Sequence, residues 1–291
     1  MKEEFIKKIA DAGVIAFAST KEKAADMISA GVGAVELSSI EAIKELKTAY
    51  PDILVGYTGI AEAEEIAKSG ADFYHAAVYC KKCVAKIKEA EICLIASVTT
   101  PLEAAKMQDA GADILDFANA DIAGGIAMLG AISVSVPDAK FIVSGAAHAI
   151  DYTAIPACIG WCDKEIDTAE DTTEAASRAM YDSLGLSLAH VGINAQNEQS
   201  AIEISTAYSN LLGLKQKTGS SSCFAGSWVE VMKSPYLGER GHIAIGTRSL
   251  SRAIAFFERK GVEFNMSTKK PVAIYFADEI GGFAVHLVEK K

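Results

Sequence analysis

KEKAADMISAGVGAVELSS, residues 21–39, holds the pattern on which the fold turns. A helically spaced stretch rich in Ala and Lys ends at Ser29-Ala30-Gly31, and the β-branched run VGAVEL (32–37) follows at once. A glycine free to take positive φ closes the helix there, and the chain turns straight into a strand. The junction recurs at Ser69-Gly70-Ala71 and at Asp109-Ala110-Gly111-Ala112. Around these junctions stand further short apolar runs, at 14–19, 52–57, 71–76, 92–97, 112–118 and 140–145. Strands alternating with helices of this length specify a parallel sheet with crossover connections. The even spacing, and the lack of a G-x-G-x-x-G after the first strand, favour a closed (β/α)8 TIM barrel over an open doubly wound sheet. ACIGWC at 157–162 supplies the eighth strand, and a helix over 168–185 completes a domain of residues 1–186.

Beyond Gly185 the chain becomes strand-rich and repeats itself. LAHVGI at 188–193 aligns with RGHIAI at 240–245, and SWVEVM at 227–232 aligns with FAVHLV at 283–288. A helical stretch follows the first strand of each copy. This predicts an α+β domain of two tandem βαβββ units over residues 187–291, each unit needing the other to cover its sheet.

Composition narrows the function classes. Half of the 291 residues are hydrophobic and 23% are charged, enough to bury full cores. The net charge of −10 argues against a nucleic-acid partner, since phosphate binding needs a basic face. No apolar run approaches the length that spans a bilayer, and the opening MKEEFIKKIADAG has no apolar signal core. Six scattered cysteines suit reduced thiols, so a cytoplasmic protein without membrane contacts is expected. Cys80-Lys81-Lys82-Cys83 is a single C-x-x-C with no second pair at metal spacing, a weak signal for zinc or redox chemistry.

Two constellations carry chemistry. In the C-terminal half the duplication sets His190 and Glu230 against His242 and His286, on the first and last strands of each unit. If those strands line one curved sheet, three imidazoles and a carboxylate converge, a donor set suited to a divalent ion such as zinc, nickel, cobalt, iron or manganese. In the barrel, chemistry belongs at the C-terminal strand ends. Those ends read Ser19, Glu36, Tyr57, His75, Ser97/Thr99, Asp116, and Ser144 with His148. Glu36, His75 and Asp116 stand out as candidate catalytic residues, because an ionisable group in an apolar strand is costly unless paired or at the mouth.

The openings AHVGI and GHIAIG and the endings WVEV and AVHLVE give residues 187–291 a resemblance to the vicinal oxygen chelate superfamily (glyoxalases, bleomycin-resistance proteins and extradiol dioxygenases). The resemblance implies His190, Glu230, His242 and His286 as ligands of a metal that chelates two adjacent substrate oxygens. Glyoxalases commonly have Glu where this chain has His286, and Glu289 points to the opposite strand face. Residues 5–186, through AGVGAVELSS, PDILVGYTG, SGADF, SVTT, GADILDFANADIAGG and FIVSGAA, resemble the class I aldolases of 2-keto-3-deoxy-6-phosphogluconate and 4-hydroxy-2-oxoglutarate.

That second resemblance implies a lyase acting on a small 2-oxo acid, assembled as a homo-oligomer, a trimer, with Glu36 as its general acid/base. The chain departs from the family elsewhere. Ile40 replaces a substrate-binding Arg, and L-D-F-A-N-A puts Asp116 where the Schiff-base Lys belongs. The glycines that cradle phosphate shrink to Gly145-Ala146 and Gly160-Trp161, and Ala76-Ala77-Val78 replaces a Ser-Pro-Gly substrate loop. No other lysine stands at a predicted strand end; Lys140 opens the seventh strand. Since a carboxylate cannot form an imine, the expectation is a metal-dependent lyase or isomerase working through the C-terminal domain. The alternatives are a non-catalytic small-molecule binding protein, or a barrel repurposed around Glu36, His75 and Asp116.

Overall fold

The computed structural model describes residues 2–78 and 81–290, with backbone alone at 81 and 82. Cys80 of the C-x-x-C segment lies outside the described residues. Two compact units emerge, Met1–Ser183 and Leu184–Lys291.

In the first unit, α1 (Lys2–Ala12) leads into eight strands: β1 (Val14–Phe17), β2 (Ala34–Leu37), β3 (Leu54–Thr58), β4 (Phe73–Ala76), β5 (Cys93–Val98), β6 (Ile114–Phe117), β7 (Phe141–Ser144) and β8 (Cys158–Asp163). The strands pair in parallel and in chain order, and β8 closes on β1 as a barrel. Helices α2 (Lys21–Ser29), α3 (Ile40–Ala49), α4 (Ala63–Lys68), α5 (Lys81–Glu89), α6 (Pro101–Asp109), α7 (Gly125–Ser135) and α8 (Ala149–Tyr152) fill the crossovers. Gly31, Gly70 and Gly111 take φ of 102°, 78° and 91°, which is why each junction needs glycine. The helix expected over 168–185 is α10 (Thr172–Leu184), which starts four residues later and is preceded by a single turn, α9 (Glu165–Thr168). Ala169 breaks the path with an extended backbone, and the Asp171 carboxylate accepts from the Glu174 amide to start the second helix.

Strand alternation sorts the barrel interior into layers. Ile15, Ala34, Leu54, Phe73, Cys93, Ile95, Ile114, Ile142 and Cys162 form an apolar floor, which Phe5, Ile9 and Ala12 of α1 underpin. Two residues further along their strands come Glu36, His75, Ser97, Asp116 and Ser144, all turned to the same interior. Five apolar residues thus give way to five polar ones within a single repeat of the strand.

The second unit is one mixed sheet. Its first half runs β9 (Ser187–Asn194), α11 (Glu198–Leu212), β10 (Gln216–Thr218), β11 (Ser222–Ala225) and β12 (Val229–Met232). Its second half repeats the order with β13 (His242–Thr247), α12 (Leu250–Arg259), β14 (Phe264–Lys270), β15 (Ala273–Phe276) and β16 (Ala284–Glu289). The strand order β10-β11-β12-β9-β13-β16-β15-β14 puts the antiparallel pair β9 and β13 at the centre. α11 covers one face of its half through Ala201, packed with Cys223 and Val231. Alternation leaves Glu230 on the opposite face. Among the described residues no helix is long and apolar enough to cross a membrane.

Candidate functional site

On the face of the second sheet opposite α11, β9, β13 and β16 bring three imidazoles together. The ring centroids of His190, His242 and His286 are 5.4, 5.4 and 5.3 Å apart, a nearly equilateral triangle. One ring nitrogen of each lies within 4.8 Å of the other two. Glu230, on β12, places Oε2 3.0 Å from His190 Nε2 and 3.2 Å from His242 Nε2. Three ring nitrogens here are buried without a hydrogen-bond partner: His242 Nδ1 and both nitrogens of His286. Buried polar atoms are seldom left unpaired, so each marks a place where a ligand could compensate for lost solvation.

The electrostatics match. Burial presses on the Glu230 carboxyl from above, but hydrogen bonds from His190, His242 and Ser222 outweigh it and hold the group well below the ordinary carboxylate range. Burial, together with the other two imidazoles, lowers His286 to about 4, so its ring is neutral near pH 7. A deprotonated carboxylate and a neutral imidazole are the forms that donate lone pairs to a cation.

Three supports escape the sequence reading. Tyr275, opposite His286 in the register, stacks on its ring at 4.6 Å and 25°, while Phe224 meets His190 edge-on at 6.2 Å. Gly192 pairs with His242 across the central strands, and a β-carbon there would run into the His242 ring. Gly192→Ala is therefore expected to destabilise the second unit by about 1–3 kcal/mol through overpacking. Chemical denaturation checks this, and an unchanged midpoint would refute it. Glu289 accepts from the Leu250 amide at the start of α12, away from the cluster.

The barrel's three candidates also meet. His75 is clamped between two carboxylates, with Nδ1 2.7 Å from Glu36 Oε2 and Nε2 3.1 Å from Asp116 Oδ2. Ser97 and Ser144 donate to the same Asp116 oxygen at 3.0 and 2.9 Å, and the Cys162 thiol donates to Glu36 Oε1 at 3.3 Å. Glu36, His75, Asp116 and Cys162 are all buried, while the two serines are half-exposed. Desolvation alone would discharge His75, but the Glu36 charge and the hydrogen bonds to Asp116, Cys162 and Glu36 raise it well above its ordinary value. Burial and the same carboxylate push the Cys162 thiol up.

The remaining strand-end residues have structural duties. Ser19 donates twice to Asp167, Thr99 binds Glu103, the buried Tyr57 lies against Tyr74, and His148 is exposed at the start of α8. The expectation that no other lysine stands at a strand end is corrected by Lys164. β8 runs on to Asp163, so Lys164 follows it directly, its Nζ 5.9 Å from the centre of the Phe17 ring.

The family profile described as "Aldolase: KDPG and KHG aldolase" matches residues 6–174. The fold is similar to that of KDPG aldolase from Legionella pneumophila, a structure with pyruvate captured as a covalent carbinolamine intermediate. Identity is 23% and the TM-score 0.53, over 59% of this chain and 97% of that one. It is also similar to 2-keto-3-deoxy-6-phosphogluconate aldolase from Zymomonas mobilis, at 18% identity and a TM-score of 0.54, over 60% of this chain and 94% of the other. No curated protein sequence matches the chain.

Proposed function

Since the chain belongs to the KDPG and KHG aldolase family and yet carries Asp116 on β6, we propose that it is a metal-dependent lyase or isomerase whose chemistry has moved to the second unit. The substrate class is a small acid with a 2-oxo group or two adjacent oxygens. One observation carries the reading: three imidazoles converge beside a carboxylate, with three of their buried ring nitrogens lacking any partner. Such a donor set fits a divalent ion of the zinc, nickel, cobalt, iron or manganese group, held by His190, Glu230, His242 and His286. A bound ion would supply Lewis acidity to paired substrate oxygens.

The side chains supply the rest. Tyr275 fixes the His286 ring and Phe224 braces His190, so the donors are oriented before anything binds. Tyr236, edge-on to Tyr275 at 5.9 Å, extends the aromatic lining beyond the ring that stacks on His286. Glu230, held ionised, is the one carboxylate of the four and would offset part of the ion's charge. The second unit's likeness to vicinal oxygen chelate proteins, carried by AHVGI and GHIAIG, supports the same assignment.

Elemental analysis of the purified full chain is the direct test. At least one tightly held divalent ion per chain is expected, with turnover of a 2-oxo acid panel lost on chelation. A chain free of stoichiometric metal, with no turnover, would instead favour a non-catalytic binding protein. For the barrel, borohydride reduction in the presence of pyruvate is expected to give no covalent adduct. An imine needs a lysine within the polar layer, which holds Asp116 instead, and Lys164 is solvent-exposed beside it. A stable adduct would overturn this reading of β6. We further propose self-association, a trimer by the family resemblance, because Ile122, Ile126 and Val134 at α7 expose apolar surface; sedimentation measures it.

A further inference from the structure

We propose that the barrel mouth is itself a divalent-cation site, formed by Glu36, His75 Nδ1 and Cys162, and separate from the cluster on the second sheet. The three residues come from β2, β4 and β8, are buried, and offer donor atoms that all lie within 4.8 Å of one another. Carboxylate, imidazole and thiolate together suit a borderline ion such as zinc or cobalt. Three protein ligands leave a fourth position for water or substrate, the pattern of catalytic rather than structural sites.

The surroundings of His75 separate this cluster from an ordinary buried ion pair. A ligating imidazole characteristically gives its other N–H to a carboxylate, which fixes tautomer and ring plane. Here Nε2 faces Asp116 Oδ2 at 3.1 Å, and Asp116 is oriented in turn by the Ser97 and Ser144 hydroxyls. Asp116 thereby acquires a role as a positioning residue, directing His75 at the ion without touching it. Two carboxyl groups flank one imidazole in a layer closed below by the apolar floor. Asp116 Oδ1 is buried there without a hydrogen-bond partner. Nδ1 lies 2.7 Å from Glu36 Oε2, so in the ion-free protein a proton between them takes the cation's place. Binding displaces that proton and the thiol proton, so two protons leave as one divalent ion enters. The half-exposed Ser97 and Ser144 mark the side from which it enters.

Cobalt(II) reports on this site selectively. None of the donors on the second sheet is a sulfur, so a thiolate-to-cobalt charge-transfer band reads the barrel alone. The titration uses the full chain carrying Cys80→Ser and Cys83→Ser, which removes the C-x-x-C thiols. The band is expected to appear, to vanish in Cys162→Ser, and to persist in His242→Ala. Asp116→Asn should keep the band but weaken cobalt affinity about 10- to 100-fold. The proposal is overturned by a parent chain without the band, by a band that survives Cys162→Ser, or by an unchanged affinity in Asp116→Asn. Should Cys162→Ser fail to fold, as read by circular dichroism, the Asp116→Asn titration decides. Failure of the second-sheet reading would show as His242→Ala leaving the total bound metal unchanged, an outcome independent of the band.

Discussion

Replacing His75 by alanine lowers the unfolding free energy of the metal-stripped barrel by about 3–5 kcal/mol, the usual cost of removing one partner from a buried ionic set. Glu36 and Asp116 are both buried and lie on opposite sides of the imidazole, so the truncation strands two carboxylates at once. Urea denaturation of wild-type and variant chains after chelation reads the difference, and a loss below about 1 kcal/mol would contradict the charged clamp. The effect has a pH signature with a definite sign. Because the folded His75 is raised well above its ordinary value, its contribution is complete below about 6.5, where the unfolded chain is also protonated. It disappears as pH rises through the folded value, so wild type loses stability on the alkaline side. His75→Gln, which cannot carry the charge, should lack that alkaline decline.

Alanine at His242 or His286 should weaken divalent-ion binding to the second sheet by roughly a hundredfold or more. Four-ligand zinc sites bind with about 10–16 kcal/mol, so one ligand in four carries about 3 kcal/mol, or two powers of ten. His242 is the more telling position, being the most deeply buried of the four and in contact with Glu230. Its loss removes a donor and also frees Glu230 from one of the hydrogen bonds that keep it ionised. Competition against a chelator of known affinity measures both variants. Equal affinity in wild type and His242→Ala would show that the three imidazoles pack together for reasons other than a cation.

How much of this could be read from the chain alone varies from element to element. The barrel strands are legible because helix, glycine and β-branched run recur at Gly31, Gly70 and Gly111, and positive φ there tolerates little else. The polar layer is half legible. Glu36 and Asp116 are conspicuous inside apolar strands, whereas Cys162 looks like one more core residue until closure sets β8 beside β1. Lys164 is hidden by a strand that runs one residue past its apolar stretch. On the second sheet, duplication points to His190, Glu230, His242 and His286 because equivalent places in two copies become neighbours across β9 and β13. Tyr275 and Gly192 give no such sign, since one is an ordinary strand aromatic and the other matters only through the ring packed against it. Cross-strand neighbours are a property of register, and register is not written in either strand by itself.

With Phe5, Ile9 and Ala12 seated beneath the floor, the barrel is a tumbler rather than a tube. Whatever crosses the rim of serines must go back the same way, since buried apolar side chains close the far end. Ions, protons and any small guest then share a single doorway. An occupant lodged between Ser97 and Ser144 would slow the exchange of everything below it.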